Sequence, residues 1–184
     1  MGWMVCLSGL PGSGKSTVAR ALAARTGALW LRIDRIEQAM RESHMGVTDL
    51  ADGGYAAAGA MAGAALEQGF DVIADSVNPV AQTRDRWRAV SARAGARHFD
   101  VLLVCRDAED HRRRVEGREA EVEGLDLPEW AAVQARRFDP WVGPVLSLDT
   151  ARTAPEDLVG RIVMALGEPE TEPGKWPETE GKNR

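Results

Sequence analysis

The sequence predicts an α/β fold, five strands in a mainly parallel sheet with helices on both faces. Short apolar runs of strand length alternate along the chain with longer stretches of helical period. Gly, Pro or Asp punctuates most of the junctions between them. Alternation of this kind belongs to parallel sheets, whose right-handed crossovers put helices on both faces. A length of 184 residues suits one domain with a single core.

Residues 5–7 read as a short buried strand, cut off by a Gly-rich loop over 9–17. An Ala/Leu/Arg helix follows over 18–25, with Gly27 in the position that favours a left-handed stop. Residues 28–33 form the second strand, and Asp34 is placed to cap a helix reaching about residue 43. After a loop at 44–54 comes a small-residue helix over 54–68, closed by Gly69; it reads equally as a close-packed helix or a mobile cover. The third strand, 70–74, runs into Asp75-Ser76-Val77-Asn78-Pro79. A basic helix occupies 82–94 and the most apolar strand 99–105. Residues 107–117 are helical and Arg-rich, grading into a polar stretch over 118–127. Pro128 starts a short helix to about residue 138. The last strand covers 145–148 and the last helix 155–166. Residues 1–166 are thus one domain, and 167–184, Pro/Glu-rich and aperiodic, read as a disordered tail.

Charge and composition narrow the function. A net charge of −5 argues against a long nucleic acid or an anionic membrane surface as partner. No apolar run approaches the roughly 20 residues of a spanning helix, and the N-terminus lacks the pattern of a signal peptide. Cys6 and Cys105 lie in apolar runs without CxxC spacing, read as buried thiols in a reducing cytoplasm. His44, His98 and His111 show no metal-ligand spacing and are assigned no role. Twenty Arg accompany three Lys, and Lys15 is the only lysine in residues 1–166. Retaining Lys at that one place suggests a demand for a compact ammonium on a flexible stem.

The neighbours of Lys15 supply the reason. Gly9-x-x-x-x-Gly14-Lys15-Ser16 is a Walker A pattern between a strand and a helix. Gly9, Gly12 and Gly14, with Pro11, Ser13 and Thr17 around them, let backbone N–H groups approach phosphate closely, and the helix N-terminus adds positive charge. Lys15 is expected on the β- and γ-phosphates of ATP, and the Ser16 hydroxyl on Mg²⁺. Asp34, Asp75 and Asp149 end or follow strands, so they gather at the sheet edge where such folds bind ligands.

The Pro11-Gly12-Ser13-Gly14-Lys15-Ser16-Thr17 wording, the Arg32-Ile33-Asp34-Arg35-Ile36 segment and the basic stretch near 106–118 resemble the small P-loop kinases. That group includes polynucleotide 5′-kinases, zeta toxins, adenylylsulfate kinases and antibiotic phosphotransferases, and the resemblance spans about residues 3–166. It implies a P-loop NTPase fold with an Arg-rich lid. It also implies that Asp34 is the carboxylate accepting the proton of the attacking hydroxyl. Many polynucleotide 5′-kinases carry Arg three residues later, where Glu37 stands here, and this counts against a nucleic-acid end as acceptor. Asp75, with Ser76 and Asn78, resembles an Asp-x-x-Asn element that holds Mg²⁺ or grips the acceptor. Arg114 and Arg118, four apart, are the candidate phosphoryl clamp, with Arg136 and Arg137 behind them. Arg84 and Arg88, four apart on one helix near the Asp75 loop, read equally as contacts for an anionic acceptor or as a solvent-facing helix face.

The expectation is a cytoplasmic Mg²⁺-ATP phosphotransferase acting on a hydroxyl of a small polar molecule such as a sugar, nucleoside or antibiotic. The alternatives are a kinase of nucleic-acid ends or nucleotide-sugars, and a nucleotide-dependent switch without transfer. The sequence leaves the oligomeric state open.

Overall fold

The structure, a computed structural model, describes residues 2–167 apart from 45, 48, 120 and 123. The strands are β1 (Trp3–Ser8), β2 (Leu29–Arg32), β3 (Val72–Asp75), β4 (Arg97–Val104) and β5 (Leu146–Asp149). They form one sheet in the order β2-β3-β1-β4-β5, and every pairing is parallel. The helices are α1 (Lys15–Thr26), α2 (Ile33–Glu42), α3 (Gly53–Glu67), α4 (Ala81–Arg93), α5 (Ala108–Glu116), α6 (Trp130–Ala135) and α7 (Pro155–Leu166).

Central β1 is buried on both faces and alternates between two cores. Trp3, Val5 and Leu7 pack with Val18 and Leu22 of α1 and Leu158 and Ile162 of α7. Met4 and Cys6 face the other way, against Ala58 and Ala62 of α3 and Trp87 and Val90 of α4. Each fully buried aliphatic side chain of this kind contributes about 1.5–3 kcal/mol. The Ala/Gly composition of α3 thus serves close packing: Ala58, Ala62 and Ala65 are buried, and Gly59 lies against Val90.

The register positions the site. Leu7 of β1 and Arg32 of β2 both pair with Asp75 of β3, so three carboxyl ends stand level. Several boundaries differ from the sequence reading. Asp34 is not a cap; Arg32 holds that position and Asp34 stands in the first turn of α2, where a carboxylate favours the helix dipole. β3 begins at Val72 because Asp71 accepts the Trp3 N–H at 2.7 Å. α6 starts two residues after Pro128 and ends at Ala135. Cys105 lies just past β4, only half buried. The tail beyond Gly167 lies outside the described residues.

Candidate active site

A cleft of about 1230 Å³ opens at the carboxyl edge of β1, β2 and β3. Its floor is the loop from Pro11 to Gly14 and the first turn of α1. Gly12 and Gly14 adopt φ of 78° and 87°, values that L side chains rarely take, and Gly9 supports the loop at φ 147°. A Cβ on Gly9 would stand 2.3 Å from the Leu103 carbonyl oxygen, and one on Gly12 2.6 Å from Val115 Cγ2. The loop is therefore wedged between β4 and α5. α1 opens at Lys15, so the first amides of the helix have no intrahelical partner and face the cleft with the positive end of the dipole.

Two loop residues differ from expectation. Ser13 was a candidate for phosphate binding, but its N–H donates to the Leu10 carbonyl at 3.1 Å and its buried hydroxyl is tucked beneath Gly9. Gly9 does not line the cleft; its N–H donates to Val77 O. Both brace the loop from below. Pro11, Gly12, Gly14, Lys15, Ser16 and Thr17 line the cleft.

Lys15 donates through Nζ to the Leu10 carbonyl at 2.9 Å. Burial draws its ammonium down to about 8, helped by the Arg118 and Arg32 guanidiniums and opposed by Asp75 and Asp34. Asp75 is buried at 3% exposure, and burial pushes its carboxyl above the usual range against the pull of Lys15, a hydrogen bond from Ser16 and the charge of Arg32. The Trp30 indole also donates to Asp75 Oδ2 at 3.3 Å. A hydroxyl beside a carboxylate suits Mg²⁺, which takes one or two protein oxygens and completes its shell with phosphate and water. Among the described residues no larger cluster of His, Cys, Asp and Glu competes for a metal.

Asp34 lines the cleft with its side chain 42% exposed, 3.7 Å from Arg32. Its charge acts on Lys15, Asp75, Glu37 and Tyr55 alike, which places it centrally. Glu37 and Arg41 follow on the same face of α2, 3.5 Å apart. Burial raises the Glu37 carboxyl, and its side chain lies so close to Gly54 that a Cβ there would meet Cγ at 2.4 Å. Tyr55, Thr83 and Arg136 complete this side.

The segment after α5 covers the cleft. Glu121 receives Arg32 Nη1 at 2.6 Å and Arg20 Nη2 at 2.9 Å, and Gly124 lies against Gln38. Arg114 and Arg118 both line the cleft, but their surroundings differ. Arg114 donates to Thr150 Oγ1 at 3.0 Å and to Thr150 O at 2.9 Å, and pairs with Asp110 at 2.7 Å. Arg118 acts on Lys15 through its charge and has no ion pair among the described residues.

Asn78 and Arg84, expected on the acceptor side, lie outside the cleft lining. The Asn78 amide is 1% exposed and bonds Ser76, Ser8 and Trp87, so it ties β1 to α4. Arg84 donates to the carbonyls of Asn78, Pro79, Asp139 and Pro140 and stacks 4.0 Å from the Trp141 ring centroid. Its donors are spent on backbone, and neither residue lines the cleft. Arg88 is likewise paired with Asp100 and Asp85, and the Asp149 carboxylate accepts the Arg106 and Ala151 N–H groups. Sequence reasoning missed the roles of Arg32, Arg41, Tyr55 and Glu121. Only the burial of an Arg at a strand end and the approach of distant segments reveal them.

The family described as AAA domain matches residues 4–140. Among curated proteins none matches the sequence. Several solved structures share the fold. The APS kinase of Mycobacterium tuberculosis in complex with AMPPNP and APS superposes with a TM-score of 0.65 at 20% identity, covering 91% of this chain and 98% of that one. A gluconokinase from Sinorhizobium meliloti 1021 gives 0.61 at 19% identity, over 90% and 95%. The tunicamycin resistance protein of Deinococcus radiodurans gives 0.63 at 15% identity, over 94% and 100%.

Proposed function

Since the chain belongs to the AAA domain family that matches residues 4–140, and its fold is that of P-loop kinases, we propose that it is an ATP-dependent phosphotransferase acting on a hydroxyl of a small polar molecule. One observation carries this reading: Lys15, Asp75 and Asp34 line a single cleft within reach of one another's charge. The loop amides and Lys15 hold the phosphates of ATP. Ser16 and Asp75 would hold Mg²⁺, which supplies charge neutralisation between the phosphates.

Asp34 orients the acceptor hydroxyl and takes its proton as the oxygen attacks the γ-phosphorus and the bond to the ADP oxygen breaks. Arg118, without a carboxylate partner among the described residues, is placed to meet the charge of the transferring group. Glu37, Arg41, Tyr55 and Arg136 shape the acceptor side. Two carboxylates, Asp34 and Glu37, on that face of α2 disfavour a phosphorylated end and support a sugar, nucleoside or antibiotic acceptor.

The test is ADP release from Mg²⁺-ATP with pooled nucleosides, sugars and aminoglycosides. One pool is expected to stimulate release, and Asp34→Asn to lower that stimulated rate by about 10²–10⁴-fold with nucleotide affinity retained. Nucleotide binding with no stimulation by any pool, and equal rates in the variant, would overturn the small-molecule reading in favour of a macromolecular acceptor or a nucleotide switch.

A further inference from the structure

We propose that His111 is a positioning residue for the phosphate loop, locking the direction of the Gly12 amide and joining the loop to the lid helix. His111 is 8% exposed and its Nε2 lies 2.8 Å from the Pro11 carbonyl oxygen. A carbonyl only accepts, so Nε2 carries the proton. The Trp130 ring meets the imidazole edge-on, with centroids 5.1 Å apart at 81°, and holds its plane. The bond spans 100 positions of sequence.

Its consequence follows from peptide geometry. In a trans peptide the C=O and the next N–H point in opposite directions. Pinning the Pro11 carbonyl onto α5 therefore turns the Gly12 N–H away from α5, where Gly12 lines the cleft. Gly12 at φ 78° has no side chain to resist rotation of that peptide, so an outside restraint is needed to hold it. The contact of Gly12 with Val115 closes the same joint from the next turn of α5. His111 and Arg114 stand at i and i+3, so one face of α5 carries the loop anchor and the Thr150 contact, and Arg118 follows two residues past the end of the helix. Seating of nucleotide phosphates and seating of the lid are thereby coupled through one imidazole.

The proposal rests on the kinase reading only through its nucleotide, and the experiment separates the two. ADP binding is titrated for wild type, His111→Phe, which keeps the ring and loses the donor, and His111→Gln, which restores an N–H. His111→Phe is expected to bind ADP about tenfold more weakly, the worth of one hydrogen bond. His111→Gln is expected within about threefold of wild type. Equal affinity of His111→Phe and wild type, or a Gln variant as weak as Phe, overturns the proposal. Should the Phe variant not fold, the long-range ¹H–¹⁵N spectrum of the wild-type imidazole decides. An Nε2–H tautomer is expected, and an Nδ1–H tautomer overturns the proposal. Wild-type protein that binds no ADP overturns the kinase reading instead, leaving the tautomer to decide the bond.

Discussion

At the scale of single residues, Lys15 turns pH into a probe of the site. Its ammonium, drawn down to about 8 from an ordinary value of 10.5, is lost as pH rises through 8 in the free protein. Phosphates in the loop favour the charged form and raise that value, so binding takes up a proton where the free lysine is already neutral. Nucleotide affinity is therefore expected to be flat below pH 7 and to fall above pH 8. Calorimetric titrations near pH 8.5 in two buffers of different ionisation enthalpy should read the proton uptake; no uptake would mean Lys15 stays clear of the phosphates. Arg84 is a residue of the opposite kind. Removing a 3% exposed guanidinium that serves four carbonyls leaves buried acceptors unpaired. Arg84→Ala is expected to cost about 3 kcal/mol in urea unfolding, mainly as stability.

At the scale of elements, the phosphate loop depends on what packs on its back. Gly9 and Gly69 both have positive φ, 147° and 87°, yet only Gly9 meets backbone, at the Leu103 carbonyl. Gly69→Ala should cost about 1 kcal/mol, the ordinary penalty for a side chain at positive φ. Gly9→Ala adds a collision that no rotamer relieves, and it should cost several times more in the same denaturation assay. The motif as spelled in sequence marks Gly9 and Ser13 as phosphate contacts. Folded, they are the underside of the loop, because Ser13 turns its N–H to Leu10. The segment after α5 shows the same limit: in sequence it is only a polar stretch, while in the fold Glu121 joins Arg20 to the buried Arg32.

At the scale of the whole molecule, the parallel order β2-β3-β1-β4-β5 brings the ends of three strands to one level beside the loop. A ligand there touches α1, α2, α5 and the β3 end at once, so binding should stabilise the whole described domain. Mg²⁺-ADP at a hundred times its Kd contributes about 2.7 kcal/mol. For a domain of this size that raises Tm by about 5–10 °C. Thermal unfolding with and without Mg²⁺-ADP checks it, and Lys15→Ala should erase most of the rise.

The sequence by itself determined the element order, the nucleotide loop and the carboxylates at the strand ends, because hydrophobic period, Gly positions and motif spacing are local properties of a chain. The alternation of Trp3, Val5 and Leu7 with Met4 and Cys6 already implies two cores on two sheet faces. Which polar groups face the cleft was decided only by tertiary structure. Arg84 and Asn78 look as available in sequence as Arg118 and Asp75, yet distant carbonyls and hydroxyls claim the first pair. The difference between a ligand-binding side chain and a structural one lies in partners far apart in the chain, as the bond from His111 to Pro11 also shows.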